Sequence, residues 1–261
     1  MLSFAAICPH PPLLIPSIGG RDLAEIKNTV DAMNLLSDRM ENEKIDTIMV
    51  ISPHGSVFMD LMSINTSEKL IGDFTDFGDE TKMEFQNDID LASYIKDIAD
   101  SDDVPVQTVS ENLDHGAMVP LYYLTQRMPD VKVVHISFSY LDYGKHFSFG
   151  EIIYEAAQNM DGNVAIVASG DLSHRLTVDA PAGYSPQGKL FDDLIVNSLE
   201  RDSVKEILDI DSELVDRAGE CGLRSIIILL GALSNINYKF KKLSYEGPFG
   251  VGYLVGEFQI F

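Results

Sequence analysis

Basic residues are scarce in this chain of 261: 19 lysines and arginines stand against 41 aspartates and glutamates, a formal charge of −22. A field of that sign repels nucleic acid and anionic lipid, and no local basic patch offsets it, so neither is expected as a partner. Like charges form no long block, which makes the acidity a solvated surface instead of an interaction tail. Cysteine is nearly absent. Cys8 and Cys221 are the whole supply and lie far apart, so the spacing of a zinc knuckle and the density of a disulfide framework are both missing. A reducing, cytoplasmic setting is the expectation. Long apolar runs are missing as well. The stretch around Ile226–Leu230 is far too short to span a bilayer. The N-terminal apolar stretch has no basic segment before it and is cut by Pro9, Pro11, Pro12 and Pro16, unlike a secretory signal. The match of Asn65-Thr66-Ser67 to a glycosylation sequon has no meaning without export. No repeat, low-complexity segment or composition shift divides the chain, so residues 1–261 are read as one domain, and 45% apolar content suffices for a full core.

What is present is a recurring pattern: an apolar run rich in Val and Ile that stops in a small, polar loop. The organising stretch is Val164–Arg175, Val-Ala-Ile-Val-Ala-Ser-Gly-Asp-Leu-Ser-His-Arg. The same pattern recurs where Leu2–Ile7 runs into Cys8-Pro9-His10-Pro11-Pro12, Thr47–Ile51 into Ser52-Pro53-His54-Gly55, and Val131–Ile136 into Ser137-Phe138-Ser139. Short continuous apolar runs read as strands buried on both faces, and open α/β sheets gather ligands beyond the carboxyl ends of such strands. Amphipathic spacing predicts helices over Asp22–Glu41, Ile89–Ala99, Val119–Arg127, Phe147–Asn159, Lys189–Glu200, Ser203–Leu208, Asp211–Ala218 and Leu223–Leu233. Pro120 is placed in the first turn of its helix, with His115 just ahead of it. Met59–Thr66 and Leu70–Phe77 read as short extended pieces, and Tyr238–Tyr245 and Val251–Phe261 as closing strands. The expected fold is a mostly parallel α/β sheet flanked by helices, with His10 and His54 leaving the same edge of neighbouring strands.

Four of the six histidines, His10, His54, His115 and His174, thus lie at element ends that a parallel sheet collects on one rim, whereas His135 and His146 read as structural. Two histidines and a carboxylate on one face of a metal leave open positions, an arrangement suited to non-haem Fe(II) and oxygen. His10 and His54 are the natural pair. Asp171, Asp114, Glu246 and Glu220 are the candidate carboxylates, and helix capping is as good an account of Glu220 as ligation. His115 and His174 remain for proton transfer, since imidazole titrates near working pH. Two other patterns fail. Gly247-Pro248-Phe249-Gly250-Val251-Gly252 lies between strands and opens no helix, so it is no dinucleotide loop. Asp171, Ser173 and His174 are too close in one loop to line up as a hydrolase triad.

Taken together, Cys8-Pro9-His10-Pro11-Pro12, Ser52-Pro53-His54-Gly55, Asp114-His115-Gly116, Ser169-Gly170-Asp171-Leu172-Ser173-His174 and Glu220-Cys221-Gly222-Leu223-Arg224-Ser225 resemble the LigB-like catalytic subunit of class III extradiol ring-cleavage dioxygenases. The resemblance covers essentially the whole chain and is closer to the AmmeMemoRadiSam branch, alongside Memo-like proteins. It implies a LigB-like α/β/α fold with Fe(II), or another divalent metal, on His10, His54 and Glu220. It further implies acid–base roles for His115 and His174, an aromatic diol and O2 as substrates, and a homo-oligomer, since extradiol relatives commonly assemble. In Memo-like relatives a cysteine occupies the place of the carboxylate. Here Glu220 and Cys221 are adjacent, so a shift of one residue decides between them, and with them between an oxygenase, another metal-dependent chemistry and a non-catalytic metal- or peptide-binding protein.

Overall fold

The apolar runs ending in histidine loops become the middle of a mixed eight-stranded sheet. The computed structural model describes all 261 residues. Strands β1 (Leu2–Cys8), β2 (Thr47–Ser52), β7 (Lys132–Ser137) and β8 (Val164–Ser169) form its parallel centre. Both faces of these strands are covered, which is why they read as continuous apolar runs without alternation. On one flank β3 (Met62–Asn65) pairs antiparallel with β7 and parallel with β6 (Val106–Val109). On the other, β10 (Tyr253–Ile260) runs antiparallel to β1 and to the edge strand β9 (Tyr238–Glu246), giving the order β6-β3-β7-β2-β8-β1-β10-β9. A separate hairpin joins β4 (Lys69–Asp73) to β5 (Lys82–Gln86).

The register matters most for function. Ala168 of β8 pairs with Ile7 on one side and Ile51 on the other, and Ser52 lies opposite Ser137. The four central strands therefore end level, and the loops after residues 8, 52, 137 and 169 leave from one rim. The expectation that β1 and β2 are neighbours needs correcting: β8 lies between them. Its loop, beginning Ser169-Gly170-Asp171, consequently separates the two loops that carry His10 and His54.

The helices are a short turn α1 (Pro16–Gly19), α2 (Lys27–Asn42), α3 (Ile89–Ser101), α4 (His115–Leu124), α5 (Tyr143–Asn159), α6 (Pro186–Glu200), α7 (Val204–Leu208), α8 (Ser212–Ala218) and α9 (Leu223–Ala232). On one sheet face α3, α5, α6 and α9 contribute to a core of 44 buried residues, and on the other α2 and α4 cover a core of 29, so the sheet is sandwiched as an α/β/α fold requires. Helices α5 and α9 cross at a pair of glycines. A Cβ on Gly150 would stand 2.0 Å from the Ile228 carbonyl oxygen, and one on Gly231 equally close to that of Phe147. Any side chain there would push α9, and the loop before it, off the sheet.

Helix α4 departs from expectation in two ways. It begins at His115 itself, capped by Asp114, whose carboxylate accepts the Ala117 N–H at 3.1 Å. Pro120 consequently falls inside the helix instead of in its first turn. A proline has no N–H for the carbonyl four residues earlier, here Gly116, and that vacancy is used by the neighbouring strand.

Candidate metal centre

Beyond the level strand ends, His10 Nε2 lies 3.1 Å from His54 Nε2 and 3.5 Å from Cys221 Sγ. The three donor atoms fall within 4.8 Å of one another. His10 is buried, Cys221 half-buried and His54 exposed, so the cluster opens to solvent on the His54 side.

His10 is held by two groups in series behind its ring and by a third on its backbone. Its Nδ1 is 2.9 Å from Ser169 Oγ, and the Ser169 hydroxyl donates its single proton to the Gly116 carbonyl, the acceptor that Pro120 leaves free. A hydroxyl that has spent its proton can only accept, so the His10 Nδ1 carries the hydrogen and Nε2 presents its lone pair to His54 and Cys221. The His10 backbone N–H donates to Asp171 Oδ1 at 2.9 Å, fixing the loop as well as the ring. Outer partners of this kind set the tautomer and direction of metal-binding imidazoles.

The Cys221 corner depends on a close backbone crossing. A Cβ on Gly170 would stand 2.1 Å from Gly222 Cα, and with both positions bare the Cys221 and Gly222 N–H groups reach the Asp171 carbonyl at 3.3 and 3.0 Å. The Asp171 N–H in turn points at Cys221 Sγ at 3.3 Å. Burial, then the Asp171 and Glu220 carboxylates, push the thiol well above its ordinary value. Burial and then neighbouring imidazole charge hold His10 well below its ordinary value and lower His54 to about 4; burial lowers His115 and His174 too. Near neutral pH the rim therefore holds neutral imidazoles with free lone pairs. Two imidazole nitrogens and a sulfur engaged only by the long Asp171 backbone contacts fit a divalent first-row metal, whose charge is what a thiolate in such a place requires.

Glu220 is not part of this cluster. Its Oε2 accepts the Leu223 N–H at 2.6 Å, satisfying an orphan donor at the start of α9, and burial pushes its carboxyl up to about 7 against that bond and the Arg224 charge. Cys221, not Glu220, completes the group around His10 and His54. The other carboxylates weighed from sequence are also engaged elsewhere. Glu246 accepts from the backbone and hydroxyl of Thr29, both at 2.7 Å. Asp114 accepts Ser52 Oγ at 2.5 Å and faces His135 Nε2 at 2.9 Å. Burial opposes its ionisation, but the His135 bond and charge, Ser52 and His54 outweigh that and hold the Asp114 carboxyl well below the usual range.

The remaining rim histidines differ in their support. His115 stacks on His54, ring centroids 4.3 Å apart and planes 22° apart, with the edge of Phe77 behind it at 5.2 Å. His174 donates through Nδ1 to the Gly219 carbonyl at 2.8 Å, leaving Nε2 as a base 4.0 Å from Asp171 Oδ2. Asp171 also accepts the His10 N–H through Oδ1, so the His174 loop adjoins the His10 loop. The His174 loop is tied down by Asp192, which accepts the Ser173 N–H at 2.8 Å and the Tyr245 hydroxyl at 2.6 Å. His135 and His146 are buried inside the fold, as expected of structural residues. The supporting roles of Ser169, Pro120, Asp192 and the His135–Asp114 pair depend on contacts between distant segments. Ser169 is the one that sequence could have offered, as the last residue of the strand bearing the organising loop.

Fold and site together describe an α/β/α protein with a candidate metal-binding cluster lying across three parallel strand ends. A family model for the catalytic LigB subunit of aromatic ring-opening dioxygenases matches residues 4–256, so the chain belongs to the LigB family. Protein CA_C1420 of Clostridium acetobutylicum is 35% identical over 266 aligned residues, covering 98% of this chain; the chain spans 57% of that relative's length. The 3,4-dihydroxyphenylacetate 2,3-dioxygenase of Escherichia coli is 27% identical over 258 residues, 92% of this chain and 93% of that one. An uncharacterized protein of Escherichia coli K12, JW3007, shares the fold with a TM-score of 0.68 at 17% identity, over 98% of this chain and 99% of its own. No helix is long and apolar enough to cross a membrane.

Proposed function

We propose that this chain is a metal-dependent ring-cleavage dioxygenase that opens a catechol-type diol with O2. The observation that carries this reading is the convergence of His10, His54 and Cys221 donor atoms at the edge where His115 stacks on His54 and Asp171 lies between His10 and His174. These three residues would hold a divalent metal, with iron(II) the natural choice for oxygen chemistry. When bound, such a metal supplies the charge that draws a diol and oxygen together and lets electron density pass between them.

The chain's own residues position and move protons. His174 takes a proton from a substrate hydroxyl at Nε2, because Nδ1 is committed to the Gly219 carbonyl, and Asp171 stabilises the imidazolium that results. His115, stacked on His54 at the exposed side, is the second proton-transfer group and a wall for a flat ring. The relative acting on 3,4-dihydroxyphenylacetate supports a diol as the substrate class. Cys221 favours a second reading. A sulfur in place of a carboxylate suits a softer metal and other chemistry, or a metal- or peptide-binding role as in Memo-like proteins.

Metal analysis of anaerobically purified protein, followed by oxygen uptake with a panel of catechols, separates the two. Stoichiometric iron with uptake supports the dioxygenase. Metal retained through Cys221 with no uptake from any diol would sink it and leave the second reading.

A further inference from the structure

The two histidines that stand away from the rim, His135 and His146, differ in the reach of their bonds. The ring nitrogens of His146 lie 2.8 and 3.0 Å from the Asp142 and Ser139 carbonyls, four and seven residues away, so this ring ties down its own turn. His135 makes one distant bond: its Nε2 lies 2.9 Å from Asp114 Oδ2, while Nδ1 is buried without a hydrogen-bond partner. Glu111 Oε1 is 3.9 Å from that Nδ1, too far for a bond, and its carboxylate accepts the Ser56 N–H and hydroxyl at 3.0 and 2.5 Å. Burying an imidazole with one nitrogen unanswered is costly, and the other positions around it on β7 are Val133, Val134 and Ile136. Packing therefore does not account for an imidazole at residue 135; the bond to Asp114 does.

Asp114 divides its two oxygens. Oδ1 accepts the Ser52 hydroxyl at 2.5 Å and the Ala117 N–H at 3.1 Å, and Oδ2 faces His135. A carboxylate turns freely about its last bond, so fixing Oδ2 fixes where Oδ1 points. Ser52, its proton given to Asp114, accepts the His54 N–H at 3.3 Å. The Ala117 bond starts α4 with His115 as its first residue. Backbone supports of the two stacked rings thus meet in one carboxylate, whose plane one imidazole sets. Gly55 shows how closely the segments are drawn together: a Cβ there would stand 2.3 Å from Ser137 Oγ and 2.8 Å from His135 Cε1.

We propose that His135 is a positioning residue of the centre: by orienting Asp114 it sets the His54 loop against the first turn of α4, and with them the stacked His54–His115 pair. The proposal rests on the reading of His54 as a ligand and His115 as a proton-transfer group, and it gives a histidine inside a strand the task of keeping them in register. Ser169 sets a ring tautomer on the buried side; His135 acts on the open side, through the backbone.

The test compares His135→Leu, His135→Gln and, as a control, His146→Leu, each checked for folding by urea melts. Gln keeps an N–H donor within reach of Asp114, whereas Leu keeps only the bulk. Stacking is read from the upfield displacement of the His54 and His115 ring-proton signals in NMR spectra taken with and without zinc. His135→Leu is expected to lose that displacement and to weaken zinc binding about tenfold in a chelator competition, with His135→Gln within about threefold of wild type. Asp114→Asn should reproduce the loss, and adding His135→Leu to it should cost nothing more, because the two residues act in series. Stacking kept in His135→Leu, lost equally in His135→Gln, or lost in His146→Leu overturns the proposal, as do losses of affinity that multiply in the double variant. If His135→Leu does not fold, nitrogen NMR spectra of the wild-type ring decide: an Nε2–H signal that moves in Asp114→Asn supports the proposal, and an indifferent one overturns it. Absence of zinc uptake by wild type breaks the reading of the centre instead, and the ring signals of the metal-free protein still decide the proposal.

Discussion

His10 and His54 offer the same atom to the same centre and are held in opposite ways. His10 is buried, its ring tautomer set by Ser169 and Gly116 and its backbone by Asp171. His54 is exposed, and its ring rests against the stacked ring of His115. One imidazole is fixed against the rim of the sheet; the other stands on a loop beside a second imidazole. The support of each ring foretells how much its loss should cost.

The largest effect is expected from the ligands themselves. His10→Ala and Cys221→Ala should each lower bound metal by at least about tenfold, measured by metal analysis after anaerobic purification, because two donors cannot replace three. Glu220→Gln should keep its metal and lose about 1 kcal/mol of stability in urea melts, the cost of a weakened helix cap. Metal lost from Glu220→Gln but retained in Cys221→Ala would reverse the assignment of the third corner.

Next come the outer supports, where the asymmetry is tested directly. Ser169→Ala removes the acceptor that fixes the His10 tautomer and should weaken metal affinity roughly 10–100-fold in a chelator competition. Pro120→Ala restores an N–H that competes for the Gly116 carbonyl and should act in the same direction, more weakly. On the other side His115→Leu should change metal affinity by no more than about threefold while lowering turnover strongly, since stacking is a modest force. Equal losses of affinity in Ser169→Ala and His115→Leu would mean that the two ligands are not held differently.

The smallest effect concerns the loop behind His174. Burial first, against bonds from Tyr245 and Ser173, raises the Asp192 carboxyl to about 7. An acid with a raised folded value binds its proton more tightly in the native state, so the contribution of Asp192 to stability falls as pH rises from about 4 to about 7 and stays low above that. Asp192→Asn should flatten that decline, gaining a few kcal/mol at most at pH 8 and almost nothing at pH 4 in urea melts at both values. An unchanged slope would show that the Asp192 carboxyl is not a source of the pH dependence.

Much of this architecture was legible before any coordinates. Continuous Val- and Ile-rich runs ending in His10, His54 and His174 loops identify buried parallel strands and a common rim, because covering both faces of a strand removes its alternation and level strand ends collect their loops. The order of the strands was not legible: pairing of β8 between β1 and β2 is a long-range choice that no local pattern expresses. Asp114 capping α4 follows from its residue type, but Pro120 inside that helix does not, since the Ser169 hydroxyl that answers the freed carbonyl comes from another strand.

By itself the sequence determined the fold class, the family and the histidines that meet. Only the tertiary structure decided which of two adjacent residues completes the cluster. Glu220 and Cys221 sit in an irregular turn, where no helical or strand period dictates side-chain direction. The bare approach of Gly170 to Gly222 and the two N–H bonds to the Asp171 carbonyl set that turn, bringing the sulfur to His10 and the carboxylate to the Leu223 N–H.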